Sequence, residues 1–209
     1  MARNLDPKCK QCRREGEKLF LKGERCLTPK CPIVKRNYPP GQHGLKGRPR
    51  LSGYGTQLRE KQKVKRMYRI LEDQLRHYFT DASRKKGNTA ELFLRALELR
   101  LDNVLYRLGI ARSRDQARQL VGHGHVRVND RRVNLPSYAL KTGDRVSMKV
   151  SSENLSLFDT MKKTDEQQQI PRWLTVDIKK LTGTVQRVPT LEELGQGLQT
   201  QLIVEYYSR

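Results

Sequence analysis

Residues 100–148 read RLDNVLYRLGIARSRDQARQLVGHGHVRVNDRRVNLPSYALKTGDRVSM, and partway along this stretch the apolar period changes. Leu101, Val104, Leu105 and Leu108 recur at helical spacing until Gly109 stops the run. Ser113, with Gln116 three residues on, makes a capping box for a short helix, Arg114–Val121, that Gly122 and Gly124 end. From Val126 the alternation is two: Val126-Arg127-Val128, a turn at Asn129-Asp130, then Arg132-Val133-Asn134. That pattern predicts a β-hairpin. Pro136 and Gly143-Asp144 mark further turns before a strand at Arg145–Val150. Two short helices beside a small hairpin-based sheet make an α+β module.

Upstream, Asn88 and Glu91 form a second capping box, opening a helix through Leu92, Phe93, Leu94, Leu97 and Leu99. The apolar run continues past it, so the spacing predicts two helices end to end with a break near Arg100. Residues 56–69 read as a helix whose buried face carries Val64, Met67, Tyr68 and Leu71. Its other surface is basic: Arg59, Lys63 and Arg66 form one stripe and Lys61, Lys65 and Arg69 a neighbouring one, fit to contact phosphates. Another helical pattern follows in Leu71–Phe79, closing near Lys85-Lys86-Gly87. Downstream, Trp173–Asp177 and Thr184–Val188 read as strands that complete the sheet. Pro189 then breaks the chain, and residues 190–209 fit helix or strand.

The formal charge is +21, which repels itself unless a polyanion neutralises it; nucleic acid is the expected partner. Residues 1–50 carry 14 basic and 4 acidic side chains, residues 51–150 carry 22 and 10, and residues 151–209 carry 7 and 8. The last quarter is therefore not the electrostatic footprint. No apolar run spans a bilayer and no signal peptide opens the chain, so no membrane partner and a cytoplasmic location are expected.

All four cysteines, Cys9, Cys12, Cys26 and Cys31, fall within the first 31 residues as two closely spaced pairs. Such pairs suit one tetrahedral zinc held by four thiolates. Two disulfides, an iron–sulfur cluster and free thiols are the alternatives; a reducing cytosol argues against the first. Zinc would act as a structural staple, because the segment has few large apolar residues with which to pack a core. Arg13, Arg14, Lys22 and Arg25, near these thiols in sequence, are candidate nucleic-acid contacts. The following run of Lys35, Arg36, Tyr38, His43, Lys46, Arg48 and Arg50 is broken by prolines and glycines, which predicts an extended basic arm along phosphates, its rings free to stack on bases.

The module from Arg100 to Met148 resembles the small RNA-binding module named after the fourth small-subunit ribosomal protein. It also occurs in pseudouridine synthases, a class of tyrosyl-tRNA synthetases and a heat-shock RNA-binding protein. The cysteine array, the Tyr38–Gly44 arm, the basic helix and the ending Gln201–Arg209 extend the resemblance to bacterial members of that ribosomal family over essentially the whole chain. The hairpin turn is Asn-Asp where the family usually has Asn-Gly, so Asp130 must take positive φ or the turn must change type. The polar segment 151–170 fits the family poorly. The resemblance implies residues 1–45 as zinc knuckle and arm, 46–98 with 190–209 as a helical domain, and 99–189 as an inserted RNA-binding module with an antiparallel sheet. It implies that Ser113, Arg114, Gln116, Arg118, Gln119, His123 and His125 face RNA, with Arg100 added to the basic set. A helix N-terminus with arginines suits phosphate on physical grounds also.

It further implies a structural constituent of the small ribosomal subunit, a primary binder of a 5′-domain junction of ribosomal RNA. The fifth small-subunit protein and the messenger RNA entrance would lie beside it, with an effect on accuracy. An RNA-modifying enzyme is the rival reading. Asp102, Asp115, Asp130 and Asp144 all lie inside the module, and too little chain remains for a separate catalytic domain. A heat-shock-type factor leaves the cysteine segment and helical domain unexplained. No enzymatic activity is expected.

Overall fold

The structure, a computed structural model, describes residues 4–47, 50–149, 170–177, 180–190, 192–194 and 197–209. Arg48 and residues 151–169 of the polar segment lie outside them. The fold is mixed α+β and divides into two compact units, Met1–Phe93 with Gln196–Arg209, and Leu94–Gly195. No helix among the described residues is long and apolar enough to cross a membrane.

In the first unit, α1 (Lys8–Glu15) is followed by a 3₁₀ turn at Gly23–Cys26 and the single-turn α2 (Pro32–Lys35). Leu19, Leu21 and Ile33 are buried with Cys12 and Cys31, so this segment does pack a small apolar core. The predicted extended arm is not extended. Residues Gln42–Lys46 form a 3₁₀ turn, and Gly44 allows it: a Cβ there would stand 1.9 Å from the Pro39 carbonyl oxygen. Arg13 ties the bend down, donating to the carbonyls of Tyr38 at 3.0 Å and Pro39 at 3.2 Å.

Helix α3 (Gly53–Met67) is capped by Ser52, whose hydroxyl accepts from the Gly55 amide. Val64 and Tyr68 are buried as the period predicts, whereas Met67 is half-buried and Leu71 is exposed. The chain turns at Arg69, at φ 58, and so takes Leu71 off the α3 face. It forms the N-cap of α4 (Glu72–Ser83) instead. The C-terminal segment is a helix, α8 (Thr200–Tyr207), lying against α3. Tyr207 stacks on Phe79 with ring centroids 4.7 Å apart, and Tyr206 meets Tyr54 at 5.7 Å. The Tyr207 hydroxyl also donates to Glu72, which accepts from Lys61 at 2.6 Å and Lys65 at 3.1 Å.

Helix α5 (Thr89–Glu98) begins at the Asn88 cap, whose side-chain oxygen accepts from the Ala90 and Glu91 amides. It ends where the sequence predicts, with Arg100 extended as the N-cap of α6 (Leu101–Arg107). Helix α7 (Arg114–Gly122) follows, and then five strands: β1 (Val126–Val128), β2 (Arg131–Arg132), β3 (Arg145–Met148), β4 (Leu174–Asp177) and β5 (Thr182–Val185). They form one antiparallel sheet in the order β2-β1-β3-β5-β4. Val126, Val128, Val146, Met148 and Val185 turn inward onto Leu101, Leu105, Leu108, Ala117 and Trp173.

Both turn residues of the hairpin have positive φ, Asn129 at 49° and Asp130 at 63°. The mirror-type turn is thus kept without glycine, because the Asn129 side chain fixes it, donating to Asp144 and accepting from the Arg145 amide. Strand β5 starts two residues earlier than predicted. Leu181 makes the turn at φ 48, and Gly183 sits where a Cβ would meet the Leu108 side chain at 2.6 Å.

Burial raises the Glu72 carboxyl, but hydrogen bonds from Lys61, Lys65 and Tyr207 outweigh it and hold the group below the usual carboxylate range. A depressed folded value contributes stability above the unfolded value, which is lost as pH falls through the folded one. Glu72→Gln is therefore expected to melt below wild type at pH 7. The gap should close on acidification through the carboxylate range, which thermal melts at stepped pH would record.

Candidate nucleic-acid interface

The second unit carries its polar groups on a buried frame. Asp102 accepts from Arg100 through both carboxylate oxygens, at 3.0 and 2.8 Å, and Arg118 stands 3.8 Å away. Glu98 accepts from Arg107 at 3.0 and 2.6 Å and from the Asn103 amide at 2.7 Å. Asn103 in turn accepts from Nε of Arg114 at 2.7 Å, and the Arg114 guanidinium lies over the Tyr106 ring at 4.5 Å. Two carboxylates thereby organise four arginines around α6 and the start of α7.

At the α7 N-terminus, Ser113 accepts from the Gln116 amide at 3.3 Å, and Gln116 reaches back to accept from the Arg112 amide at 2.8 Å. The capping box is present, its return bond one residue earlier than the pattern implies. Gln119 and His123 are exposed and His125 is half-buried, with the two imidazoles 6.1 Å apart.

The predicted basic residues divide into two populations. Arg14, Lys22, Arg25, Lys35, Arg36, His43 and Arg50 are exposed. Lys61, Lys63, Arg69 and Arg100 are not: each is at most 6 % exposed. The reading of α3 as two open phosphate-contacting stripes is corrected accordingly. Lys61 pairs with Glu72, Lys63 with Glu60 and Glu17, and Arg69 reaches the Asn4 carbonyl and Gln11. Arg59 and Arg66, half-buried, share Glu15. Arg114 and Arg118 are also buried in the frame. Tyr38 is half-buried with Arg13 over one ring face at 4.6 Å, so that face is not free to stack.

Sequence reasoning missed the hairpin arginines. Arg127 and Arg132 face each other across β1 and β2, and Arg145 lies on the same outward face. No carboxylate pairs with these three or with Arg131 among the described residues. The alternation Val126-Arg127-Val128 was the available signal, since it sets Arg127 opposite the core. Gly124 makes room for the Arg132 guanidinium, which a Cβ there would meet at 2.3 Å.

The four cysteines form no disulfide and line one small pocket with Leu21, Pro32 and Ile33. Cys9 and Cys12 lie one turn apart on α1, Cys26 closes its 3₁₀ turn, and Cys31 precedes α2. Burial raises the Cys12 and Cys26 thiols, repulsion from the neighbouring cysteines adds to it, and backbone amides work against it. The Lys22 amide donates to Cys26 at 3.3 Å. This donor set fits a soft cation chemically, although no three His, Cys, Asp or Glu side chains among the described residues are grouped closely enough to hold one.

A basic α+β protein with capped helices, a small antiparallel sheet and exposed arginines has the electrostatic footprint of a nucleic-acid-binding protein. The sequence model described as "Ribosomal protein S4/S9 N-terminal domain" matches residues 3–98, and that described as "S4 domain" matches residues 99–146. The chain is 52% identical to small ribosomal subunit protein uS4 of Natranaerobius thermophilus, 53% to uS4A of Alkaliphilus metalliredigens and 50% to uS4 of Thermus thermophilus, each over the full length of both chains. The chain belongs to the uS4 family of small ribosomal subunit proteins, a structural and non-enzymatic family.

Asp102→Ala leaves the buried Arg100 without its carboxylate and is expected to cost about 3–5 kcal/mol. Chemical denaturation followed by fluorescence of Trp173, which is buried in the same unit, would measure it.

Proposed function

We propose that the protein is a constituent of the small subunit of the cytoplasmic ribosome. There it binds ribosomal RNA at a 5′-domain junction as a primary binder, nucleates assembly and contributes to translational accuracy. The observation that carries this reading is the similarity to small ribosomal subunit proteins across every residue of the chain at about half identity. The electrostatics support it: exposed cations on residues 1–50 and on the hairpin release counterions when they meet phosphates and lower the repulsion between converging RNA helices. In this reading residues 1–45 form the knuckle and arm, 46–98 with 190–209 the helical domain, and 99–189 the RNA-binding module. The fifth small-subunit protein is the expected neighbour, and messenger RNA near its entrance a further contact.

Cys9, Cys12, Cys26 and Cys31 would hold one zinc ion, which supplies folding energy and takes no part in chemistry. All four line the same small pocket, which supports this; a bound ion would draw them together, since no three are grouped closely enough as they stand. Loaded protein is expected to contain one zinc per chain by elemental analysis, and Cys26→Ser to retain far less. A zinc-free chain with unchanged melting would overturn the staple.

Selective binding to a 5′-domain ribosomal RNA fragment over a scrambled RNA of equal length, with a steep loss of affinity as salt rises, is the expected result. Equal affinity for both RNAs would reduce the protein to a general polyanion binder.

A further inference from the structure

Glu15 is a costly residue at its position. It ends α1, where a carboxylate meets the negative end of the helix dipole, and its side chain is only 2 % exposed. Burial pushes its carboxyl above the usual range, with Arg66, Arg59 and Arg14 pulling it partly back. Such a local conflict points to a use elsewhere.

The use is on α3. Nη1 of Arg66 and Nη1 of Arg59, the latter at 3.4 Å, both donate to Oε1 of Glu15. Residues seven apart share a helix face but stand two turns, about 10 Å, from each other along it. One carboxylate oxygen draws the two guanidiniums together. Each guanidinium has five N–H donors and gives one to Glu15; no other acceptor is met by either among the described residues. The side chains are 26% and 23% exposed, enough to present an outer edge to solvent. The neighbouring acids are engaged elsewhere: Glu60 with Lys63 and the Gln199 amide, and Glu17 with Lys63.

We propose that Arg59 and Arg66 act as one phosphate clamp, assembled by Glu15 as a positioning residue, and that the clamp grips a single backbone phosphate of RNA. This rests on the RNA-binding reading above. Two guanidinium edges converging on one phosphate make directional, charge-assisted bonds that separated point charges do not. Because α1 also carries Cys9 and Cys12, the thiol cluster and the clamp share one element.

The test turns on the sign of an effect. Glu15→Gln makes a chain already at +21 one unit more positive, so general attraction predicts tighter RNA binding; the clamp predicts weaker. With full-length protein and the 5′-domain fragment, E15Q is expected to bind about tenfold more weakly. Its slope of log affinity against log salt should be shallower by about one phosphate contact. R59Q and R66Q should each give a similar loss, and the double variant no more than either, because a single phosphate is released. R66K keeps the charge but not the fork, so it should reproduce the loss; it decides the matter if E15Q does not fold by circular dichroism. Unchanged or tighter binding by folded E15Q, full affinity in R66K, or additive losses in the double variant would overturn the clamp while wild-type selectivity stands. A wild-type protein without selectivity overturns the clamp together with the reading it rests on.

Discussion

The second unit depends on keeping two buried carboxylates paired. Glu98 at the end of α5 and Asp102 at the start of α6 lie on either side of the break at Arg100, and both are almost wholly out of water. Charges in that position are tolerated only with matched partners and satisfied hydrogen bonds. Their partners come from three places: Arg100 at the break, Arg107 at the end of α6, and α7 through Asn103 and Arg118. These bonds tie the end of α5 to α6 and α6 to α7, and the apolar core of Leu101, Leu105 and Val121 packs beside them. Arg114, placed at the first turn of α7, is a member of this frame before it can be anything else.

The same rule governs α3. A chain with +21 has cations to spare, yet it spends several on its own carboxylates. Lys61 and Lys65 converge on Glu72, Lys63 joins Glu60 to Glu17, and Arg59 and Arg66 converge on Glu15. These pairings fix α1, α4 and α8 against α3, since Glu72 also receives Tyr207. Exposed cations lie on loops and helix ends near the cysteines, on and after α4 at Arg76, Arg84, Lys85 and Lys86, and on the hairpin at Arg131 and Arg132.

This division explains how much was legible in the sequence. Caps and periods reported themselves locally: Asn88, Ser113, the break at Arg100 and the hairpin's first strand and turn need only neighbours within a few residues, and each is where its pattern puts it, while the second strand, Arg131–Arg132, begins one residue before the predicted Arg132. Charge did not. Arg59 and Lys61 look alike as exposed helical cations, because what buries Lys61 is Glu72 on the next helix, and what holds Arg69 is Asn4, 65 residues away. The arm failed for a related reason. Glycine and proline were read as a ban on regular structure, whereas Gly44 is what lets the backbone close on Pro39.

Like charges directly across a ladder are destabilising, and β1 and β2 set Arg127 against Arg132 with no carboxylate to separate them among the described residues. Where the fold buries a cation it supplies an acid, as at Asp102, Glu98 and Glu72. Where none is met among the described residues, a polyanion would remove the repulsion without adding a buried charge. A cation that meets no carboxylate among the described residues is open to an outside anion, and the hairpin holds such a set in Arg127, Arg131, Arg132 and Arg145, whereas Lys61 and Lys63 of α3 are buried with their acids.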